Sequence, residues 1–239
     1  MDVVTQPQPH LAGDRRWVFL DAVGTLIRPE PDVATIYAEV AGRYGSSRTA
    51  IQIDEEFDAA YLALTTPERR TDEDAERAFW RAMVDRLAPD VSDADACFAE
   101  MFDRFAEPAA WTVYDDVPAG LEQLRAAGFK IAIASNFDAR LRPVAAGLPE
   151  LAGVDALVIS TEVGWKKPAE EFWQAAVEMT DADPALSVSV GDSFNEDVKA
   201  AREVGLKGLW LKRSDPRRPA SVRTFGEATH RIVAARPPG

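Results

Sequence analysis

Apolar and polar positions divide the chain into two kinds of region. WVFLD, at 17–21, is a short apolar run that ends in a carboxylate, which is typical of a buried strand. From about residue 29 to residue 111, apolar residues recur at helical spacing instead. Examples of this spacing are Val33, Ile36, Tyr37, Val40 and Tyr44, and later Phe98, Met101, Phe102 and Phe105. The pattern therefore predicts a block of helices, without a strand, between residues 29 and 111.

The region after this block alternates between the two patterns. Helical spacing covers 118–128, 138–147, 169–180 and 195–205, and apolar runs separate or follow these segments at 129–135, 154–160, 186–192 and 207–212. Alternating strands and helices predict a parallel sheet with right-handed crossovers. We therefore expect an α/β core, residues 15–28 and 112–239, with an all-helical cap domain, residues 29–111, inserted after its first strand. Residues 1–14 are expected to form a flexible N-terminal segment.

The charge balance narrows the choice of partners. The chain has 27 basic and 40 acidic residues, a net charge of −13, which disfavours nucleic acid and anionic membrane surfaces. A small anionic substrate stays compatible, because a bound metal ion inverts the local charge. The single cysteine, Cys97, excludes an intramolecular disulfide and a cysteine-based zinc site. The N-terminal residues lack the apolar stretch of a signal peptide, and no run approaches the roughly 18 apolar residues of a membrane helix, so we expect a cytoplasmic protein.

Polar residues lie just beyond the carboxyl ends of the predicted strands. In an open parallel sheet this edge is where ligands bind. The residues concerned are Asp21, Ser135, Asn136, Lys167, Asp192 and Asp197. Carboxylates placed close together repel one another, which suggests an oxygen-liganded divalent cation, and Mg²⁺ is the ion we expect. A hydroxyl, a backbone N–H and a lysine suit the oxygens of a phosphoryl group.

Four short motifs fall at these positions in a fixed order. They are DAVGT (21–25), IAS (133–135), KKP (166–168) and GDSFNED (191–197). The ordered set, over residues 17–212, resembles the haloacid dehalogenase-like hydrolase superfamily. DAVGTL together with SNFD (135–138) is similar to the branch typified by the rhythmically expressed gene 2 product. The resemblance implies a Rossmann-like core with a parallel sheet, and the predicted helical block lies where this superfamily carries its helical cap.

The resemblance also implies a role for each matching residue. Asp21 would be the nucleophile that forms a covalent aspartyl intermediate, and Lys167 would screen the charges of Asp21 and the phosphoryl group. Thr25 would support the turn after the first strand and contact the substrate phosphate. Ser135 would bind a phosphoryl oxygen, and Asn136 would belong to the same phosphate site. The expected Mg²⁺ site comprises Asp21, the backbone carbonyl of Val23, Asp192 and Asp197, the last standing beside either the metal or the lysine.

Val23 departs from the superfamily pattern. Phosphatases of this superfamily usually have a second aspartate there, which protonates the leaving oxygen and then activates water. Such help is worth ~10²–10⁴-fold in rate. Valine keeps the carbonyl for metal binding but cannot carry a proton. Three explanations follow. In the first, the leaving group needs no proton, as with acyl phosphates, aryl phosphates or halides. Alternatively, Glu30, Asp32 or a cap carboxylate supplies the proton, or turnover is slow and the domain mainly binds its ligand.

The sequence therefore favours a Mg²⁺-dependent hydrolase that acts on a small phosphorylated metabolite. One alternative is a 2-haloacid dehalogenase, whose halide leaves unprotonated. Against it, GDSFNED keeps an acidic pair suited to a metal, and the dehalogenase needs an aromatic residue where this chain has Val23. The other alternative is a catalytically weak binding or regulatory protein. Mg²⁺-dependent turnover would indicate the phosphatase, and chloride release without metal would indicate the dehalogenase. The absence of both reactions would indicate the binding or regulatory protein.

Overall fold

The computed structural model describes residues 15–213 and 221–235. The expectation for residues 1–14 therefore lies outside the described residues. Seven strands are present in this part of the chain. They are β1 (Trp17–Leu20), β2 (Ile27–Pro29), β3 (Trp111–Val113), β4 (Lys130–Ser135), β5 (Ala156–Ile159), β6 (Val188–Gly191) and β7 (Lys207–Trp210).

Five of these strands form one parallel sheet in the order β5-β4-β1-β6-β7. The central strand β1 is fully buried, and its last residue, Leu20, lies opposite Ile133 of β4 and Val190 of β6. Because all five strands run in the same direction, the residues that follow them meet at one edge. The predicted α/β fold with a parallel sheet is confirmed.

Ten α-helices surround the sheet in the described residues. Four lie between β2 and β3, namely α1 (Val33–Arg43), α2 (Ala50–Leu64), α3 (Glu73–Leu87) and α4 (Ala94–Arg104). The others are α5 (Val117–Ala126), α6 (Leu141–Gly147), α7 (Ser160–Val163), α8 (Glu170–Thr180), α9 (Ala200–Glu203) and α10 (Phe225–Ala234). In the parts of the chain that the structure describes, no helix combines the length and apolar character needed to cross a membrane.

The first four helices begin where the sequence supplies a capping side chain. Asp32, Thr49, Asp72 and Asp93 each precede one of these helices, and each accepts a hydrogen bond from the backbone N–H three residues later. This bond satisfies one of the N–H groups that a helix start leaves unpaired. The capping residues therefore fix the boundaries of the helical block.

The two ends of the helical block pair with each other. Strands β2 and β3 form an antiparallel pair in which Ile27 lies opposite Val113 and Pro29 lies opposite Trp111. The sequence pattern gives no strand here, because a three-residue strand is too short to show alternation. The division into a core, 15–28 and 112–239, and a cap, 29–111, stays a prediction.

Apolar side chains divide between the two faces of the sheet. Val18 and Leu20 point into a cluster that continues through Ile27 and Tyr37 into the helical block. Trp17 and Phe19 point to the opposite face, where they pack with residues such as Phe172 and Trp173. Successive side chains of a strand alternate between faces, which explains this division. The helical block therefore packs on the sheet through a continuous apolar core.

Candidate active site

Lys167 lies at the centre of the polar cluster at the sheet edge. Its Nζ donates hydrogen bonds to carboxylate oxygens of Asp21, at 2.8 Å, and Asp197, at 2.6 Å, and to the carbonyl of Ala134, at 2.9 Å. The side chain is 1% exposed, so the three donors of its ammonium group are all used inside the protein. Burial lowers the pKa of Lys167, but Asp197 and Asp21 raise it above its usual range. The lysine is therefore held in its charged form.

Asn136 fixes the backbone that carries Lys167. Its side-chain oxygen accepts from the Lys167 N–H at 2.7 Å, and its side-chain nitrogen donates to the Lys167 carbonyl at 3.0 Å. Asn136 directly follows β4, so the strand end and the lysine loop are joined at this point. The side chain thus positions Lys167, and the predicted phosphate contact of Asn136 stays a prediction.

Three carboxylates converge beside the lysine. One oxygen from each of Asp21, Asp192 and Asp197 lies within 4.8 Å of the other two. Burial raises the pKa of Asp21 to about 7, with Lys167 lowering it and the two neighbouring carboxylates raising it further. Burial likewise raises the pKa of Asp192. The cluster carries more negative charge than one lysine balances, and it therefore suits a divalent cation with oxygen ligands.

The three carboxylates differ in the partners that they already have. Asp197 uses one oxygen for Lys167 and accepts from the Ser193 N–H with the other, at 3.0 Å. Asp21 bonds Lys167 through Oδ1, and its side chain is 11% exposed at the sheet edge. Asp197 is accordingly better placed as the partner of the lysine than as a metal ligand, and the metal roles stay predictions.

Close backbone approach explains two glycines of the motifs. Gly24 has φ +84°, and a Cβ added there would lie 2.6 Å from Oδ2 of Asp192. A Cβ added at Gly191 would overlap the carboxylate of Asp197. Only glycine fits these positions while the carboxylates stay in place. The two loops therefore bring Asp192 and Asp197 close to the end of β1.

The segment after β6 differs from the expected helix over 195–205. Residues Phe194–Lys199 form a π-helical turn, and α9 follows it. Ser193 caps the turn by accepting from the Glu196 N–H at 3.4 Å. Such wider turns occur often at functional sites. Here the turn holds the buried Asp197 against Lys167.

The remaining predicted residues occupy different environments. Thr25 is fully buried, and its backbone carbonyl accepts from Arg213 at 2.8 Å, so it supports the turn after β1. Ser135, the last residue of β4, is 2% exposed. Val23, in contrast, is 38% exposed although it is apolar. The predicted phosphate contacts of Thr25 and Ser135 stay predictions.

The exposed face of Val23 borders a cavity of about 270 Å³ between the sheet edge and the helical block. Nine of the described lining residues are aromatic, among them Tyr37, Tyr61, Trp111 and Phe137. Phe98, Phe102 and Phe105 also line this cavity. Their helical spacing indicates a packed cap core, but it cannot show that they leave space between them.

The carboxylates suggested as substitutes for an aspartate at position 23 have other partners. Asp32 caps α1, and its hydrogen bonds with Thr35 lower its pKa. Glu30 is exposed and lies 3.5 Å from Arg28. Neither carboxylate lines the cavity beside Val23.

Other contacts across the site were not expected from the sequence. DEDAE (72–76) has the pattern of a solvated helix start, and Lys166 that of a solvated neighbour of Lys167. Instead, Glu76 is buried and pairs with Lys166 at 2.6 Å. Glu73 accepts hydrogen bonds from the Ala139 N–H, at 3.1 Å, and from the Thr161 hydroxyl. These bonds tie α3 to the sheet edge, and no local sequence signal marks them because their partners are distant in the chain.

Comparison with known proteins gives the same family for most of the chain. The model of haloacid dehalogenase-like hydrolases matches residues 16–205. Haloacid dehalogenase-like hydrolase domain-containing protein 3 of Bos taurus is 28% identical over 208 residues, which cover 84% of this chain and 83% of that protein. The plasmid phosphoglycolate phosphatase of Cupriavidus necator is 31% identical over 198 residues, which cover 79% of this chain and 77% of that protein.

Solved structures with the same fold include phosphatases and dehalogenases. A HAD phosphatase of Thermococcus onnurineus superposes with a TM-score of 0.65 at 22% identity, covering 91% of this chain and 97% of that chain. L-2-haloacid dehalogenase of Xanthobacter autotrophicus superposes with a TM-score of 0.70 at 19% identity, covering 92% and 98%. The predicted resemblance is confirmed, and the chain belongs to the haloacid dehalogenase-like hydrolase family.

Proposed function

We propose that this hydrolase is a Mg²⁺-dependent phosphatase that acts on a small phosphorylated molecule through an aspartyl-phosphate on Asp21. The observation that carries the proposal is the buried ion pair of Asp21 with Lys167, beside the carboxylate of Asp192. A nucleophile, a fixed cation and a further hard anionic ligand then share one edge of the sheet. The phosphatase relative from Cupriavidus necator supports the same reaction class.

The donors at the sheet edge fit a magnesium ion. Carboxylates of Asp21 and Asp192 and the backbone carbonyl of Val23 are hard oxygen ligands, and Lys167 balances only part of the charge of the cluster. When bound, Mg²⁺ would neutralise charge on the phosphoryl oxygens. We assign Asp197 to the lysine, because both of its oxygens already accept hydrogen bonds.

The chain's own residues would perform the covalent steps as follows. Lys167 holds Oδ1 of Asp21, which leaves Oδ2 to attack phosphorus. An O–P bond to Asp21 forms while the bond from phosphorus to the leaving oxygen breaks. Water then attacks phosphorus and the bond from phosphorus to Asp21 breaks. This step restores the Asp21 carboxylate and releases inorganic phosphate, and the proton of the water passes to the phosphate or to solvent. The ammonium group of Lys167 also offsets the charge of the phosphoryl oxygens in both steps.

Val23 decides which leaving groups the site accepts. The valine side chain cannot protonate a leaving oxygen, and both Glu30 and Asp32 are engaged elsewhere. Glu76, the cap carboxylate that lines the cavity, is paired with Lys166 and accepts from the Trp80 indole. We therefore infer that good substrates release an oxygen of low basicity, as acyl and aryl phosphates do. Alkyl phosphates, whose alkoxide needs a proton, should be poor substrates.

The dehalogenase alternative is less consistent with the charge of the site. The dehalogenase reaction uses no metal, so the carboxylate of a 2-haloacid would face three carboxylates that a single lysine balances only in part. A phosphate ester would meet the same carboxylates together with Mg²⁺, which offsets their charge. The test is a screen of phosphorylated metabolites with Mg²⁺ and with EDTA, run beside an assay for chloride release from 2-chloropropionate. Phosphate release that EDTA abolishes is the expected result. Chloride release that persists in EDTA would instead support the dehalogenase, and the absence of both reactions would support a binding protein.

A further inference from the structure

We propose that the cavity beside Val23 selects phosphate esters whose leaving group is an uncharged aromatic ring system. The inference rests on the proposed phosphatase function and adds the class of substrate. Its basis is the continuity of the cavity with the sheet edge. Val23, two residues after Asp21, and Asn136, which holds Lys167, both line it. A group attached to a phosphoryl at Asp21 would therefore extend into this space.

The wall of the cavity favours flat apolar groups. Aromatic side chains from all four helices of the block and from the sheet edge surround it, including Tyr37, Phe57, Trp80, Phe102 and Phe137. Aromatic rings gain energy from stacked or edge-to-face contacts as well as from burial. An apolar cavity of about 150 Å³ is large enough to bind benzene. The volume of about 270 Å³ therefore suits a substituted ring or two fused rings.

The first charged residue of the wall, Arg140, is already neutralised. Its guanidinium makes paired hydrogen bonds with the buried carboxylate of Asp138, at 2.7 to 3.1 Å, and donates to the Phe102 carbonyl at 3.0 Å. It also lies over the Phe102 ring, 3.5 Å from the centroid. Asp138 therefore already balances the charge of this arginine, which weakens its attraction for a substrate carboxylate.

The second charged residue of the wall, Glu76, is likewise balanced by a partner of opposite charge. It accepts from the Trp80 indole at 2.9 Å and pairs with Lys166 at 2.6 Å. Among the described lining residues, no cation is left to receive an anionic substituent. Burying an unpaired carboxylate is costly, so substrates such as phosphoglycolate should be disfavoured despite the name of the relative.

The apolar wall also gives a reason for the valine at position 23. A carboxyl group there would face a largely aromatic space, where the charged form is disfavoured. Aryl oxides leave with less need of a proton than alkoxides do. An aromatic leaving group therefore satisfies both the shape of the cavity and the missing acid.

The test compares two aryl phosphates that differ in charge and not in leaving-group acidity. Phenyl phosphate and 3-carboxyphenyl phosphate form such a pair, with 1-naphthyl phosphate as the larger neutral substrate. With Mg²⁺, kcat/KM for the two substrates that have an uncharged ring should exceed kcat/KM for 3-carboxyphenyl phosphate by about 100-fold. Equal kcat/KM values for the matched pair would overturn the proposal.

A pair of variants on α2 tests whether the cavity causes this preference. Tyr61→Lys places a cation at the rim of the cavity, where the tyrosine is 46% exposed. It should lower the ratio of kcat/KM for phenyl phosphate to kcat/KM for 3-carboxyphenyl phosphate by at least about threefold. Leu62→Lys adds the same charge to the neighbouring position, which is 76% exposed and does not line the cavity. The control should leave the preference unchanged. Equal effects of both variants would refute the assignment of the cavity.

Two further measurements separate this proposal from the proposed function. Acetyl phosphate has no ring, so its Mg²⁺-dependent hydrolysis reports the phosphatase activity alone. Calorimetry with 1-naphthol and 3-hydroxybenzoate reports the cavity without turnover, and only 1-naphthol should bind. Acetyl phosphate turnover without a preference for neutral rings would overturn the cavity proposal and leave the phosphatase intact. Binding of 1-naphthol without hydrolysis of any phosphate would refute the phosphatase and leave the cavity as an aromatic binding site.

Discussion

Replacing Val23 with aspartate should add the proton carrier that the site lacks. The side chain at position 23 is 38% exposed and borders both the sheet edge and the cavity, so a carboxyl group there would lie near the leaving oxygen. One acid–base group is worth ~10²–10⁴-fold, which sets the upper limit of the gain for an alkyl phosphate. The backbone carbonyl of residue 23 is unchanged, so the variant keeps every ligand of the expected Mg²⁺ site.

The structure indicates a gain near the lower end of this range. The new carboxyl group would face the aromatic side chains of the cavity and would lie two residues from Asp21, a member of the carboxylate cluster. Burial and like charges both raise the pKa of such a group. A raised pKa keeps the proton available for the leaving oxygen but weakens the group as the base that activates water. We therefore expect a gain of about 10²-fold for alkyl phosphates and a smaller one for aryl phosphates.

The assay is kcat/KM against leaving-group pKa for the wild type and the variant. The wild-type plot should fall steeply as the leaving group becomes more basic, and the plot of Val23→Asp should be flatter. Val23→Asn is the matched control, because it has the same shape but no acidic proton, and it should follow the wild type. A wild-type rate that does not depend on leaving-group pKa would refute the reasoning, since another group would then supply the proton.

Three other substitutions probe the contacts around the site. Asp192→Asn should weaken Mg²⁺ binding at least about tenfold in calorimetry, because a hard anionic ligand becomes neutral; unchanged affinity would remove Asp192 from the metal site. Asn136→Ala removes two hydrogen bonds to the backbone of Lys167 and should lower both kcat and the free energy of unfolding, the latter by about 2 kcal/mol in urea denaturation. Retention of full kcat would show that Asn136 does not position the lysine. Glu76→Gln should lower the free energy of unfolding by about 1–2 kcal/mol. This loss is smaller than the loss on breaking a fully buried ion pair, because Lys166 is partly exposed. A neutral result in urea denaturation would mean that this ion pair adds no stability.

Features encoded by local spacing were predictable from the sequence. The apolar run at 17–21 and the run at 186–192 could be assigned as strands of one parallel sheet, and the structure pairs Leu20 with Val190. The convergence of Asp21, Lys167 and Asp192 followed from the rule that strand ends meet at one edge. The predicted family, the α/β fold and the hydrolase class are confirmed, while the catalytic and metal roles of these residues stay predictions.

Features that depend on tertiary contacts were not predictable in this way. The π-helical turn at Phe194–Lys199 has the same apolar spacing as an ordinary helix start, and it differs only in its backbone bonds. Lys166 resembles any exposed lysine until the fold brings it to Glu76. Phe102 has the spacing of a core residue, but packing in three dimensions leaves it on the wall of a cavity.

The central claim is that Asp21 becomes phosphorylated during turnover. Rapid quenching of the reaction with acetyl phosphate and Mg²⁺, followed by borohydride reduction, would convert an aspartyl-phosphate into homoserine, which peptide mass spectrometry locates. The account predicts homoserine at position 21, lost when EDTA is present and lost in Asp21→Asn. Phosphate release without modification at position 21, or with homoserine at another residue, would contradict it.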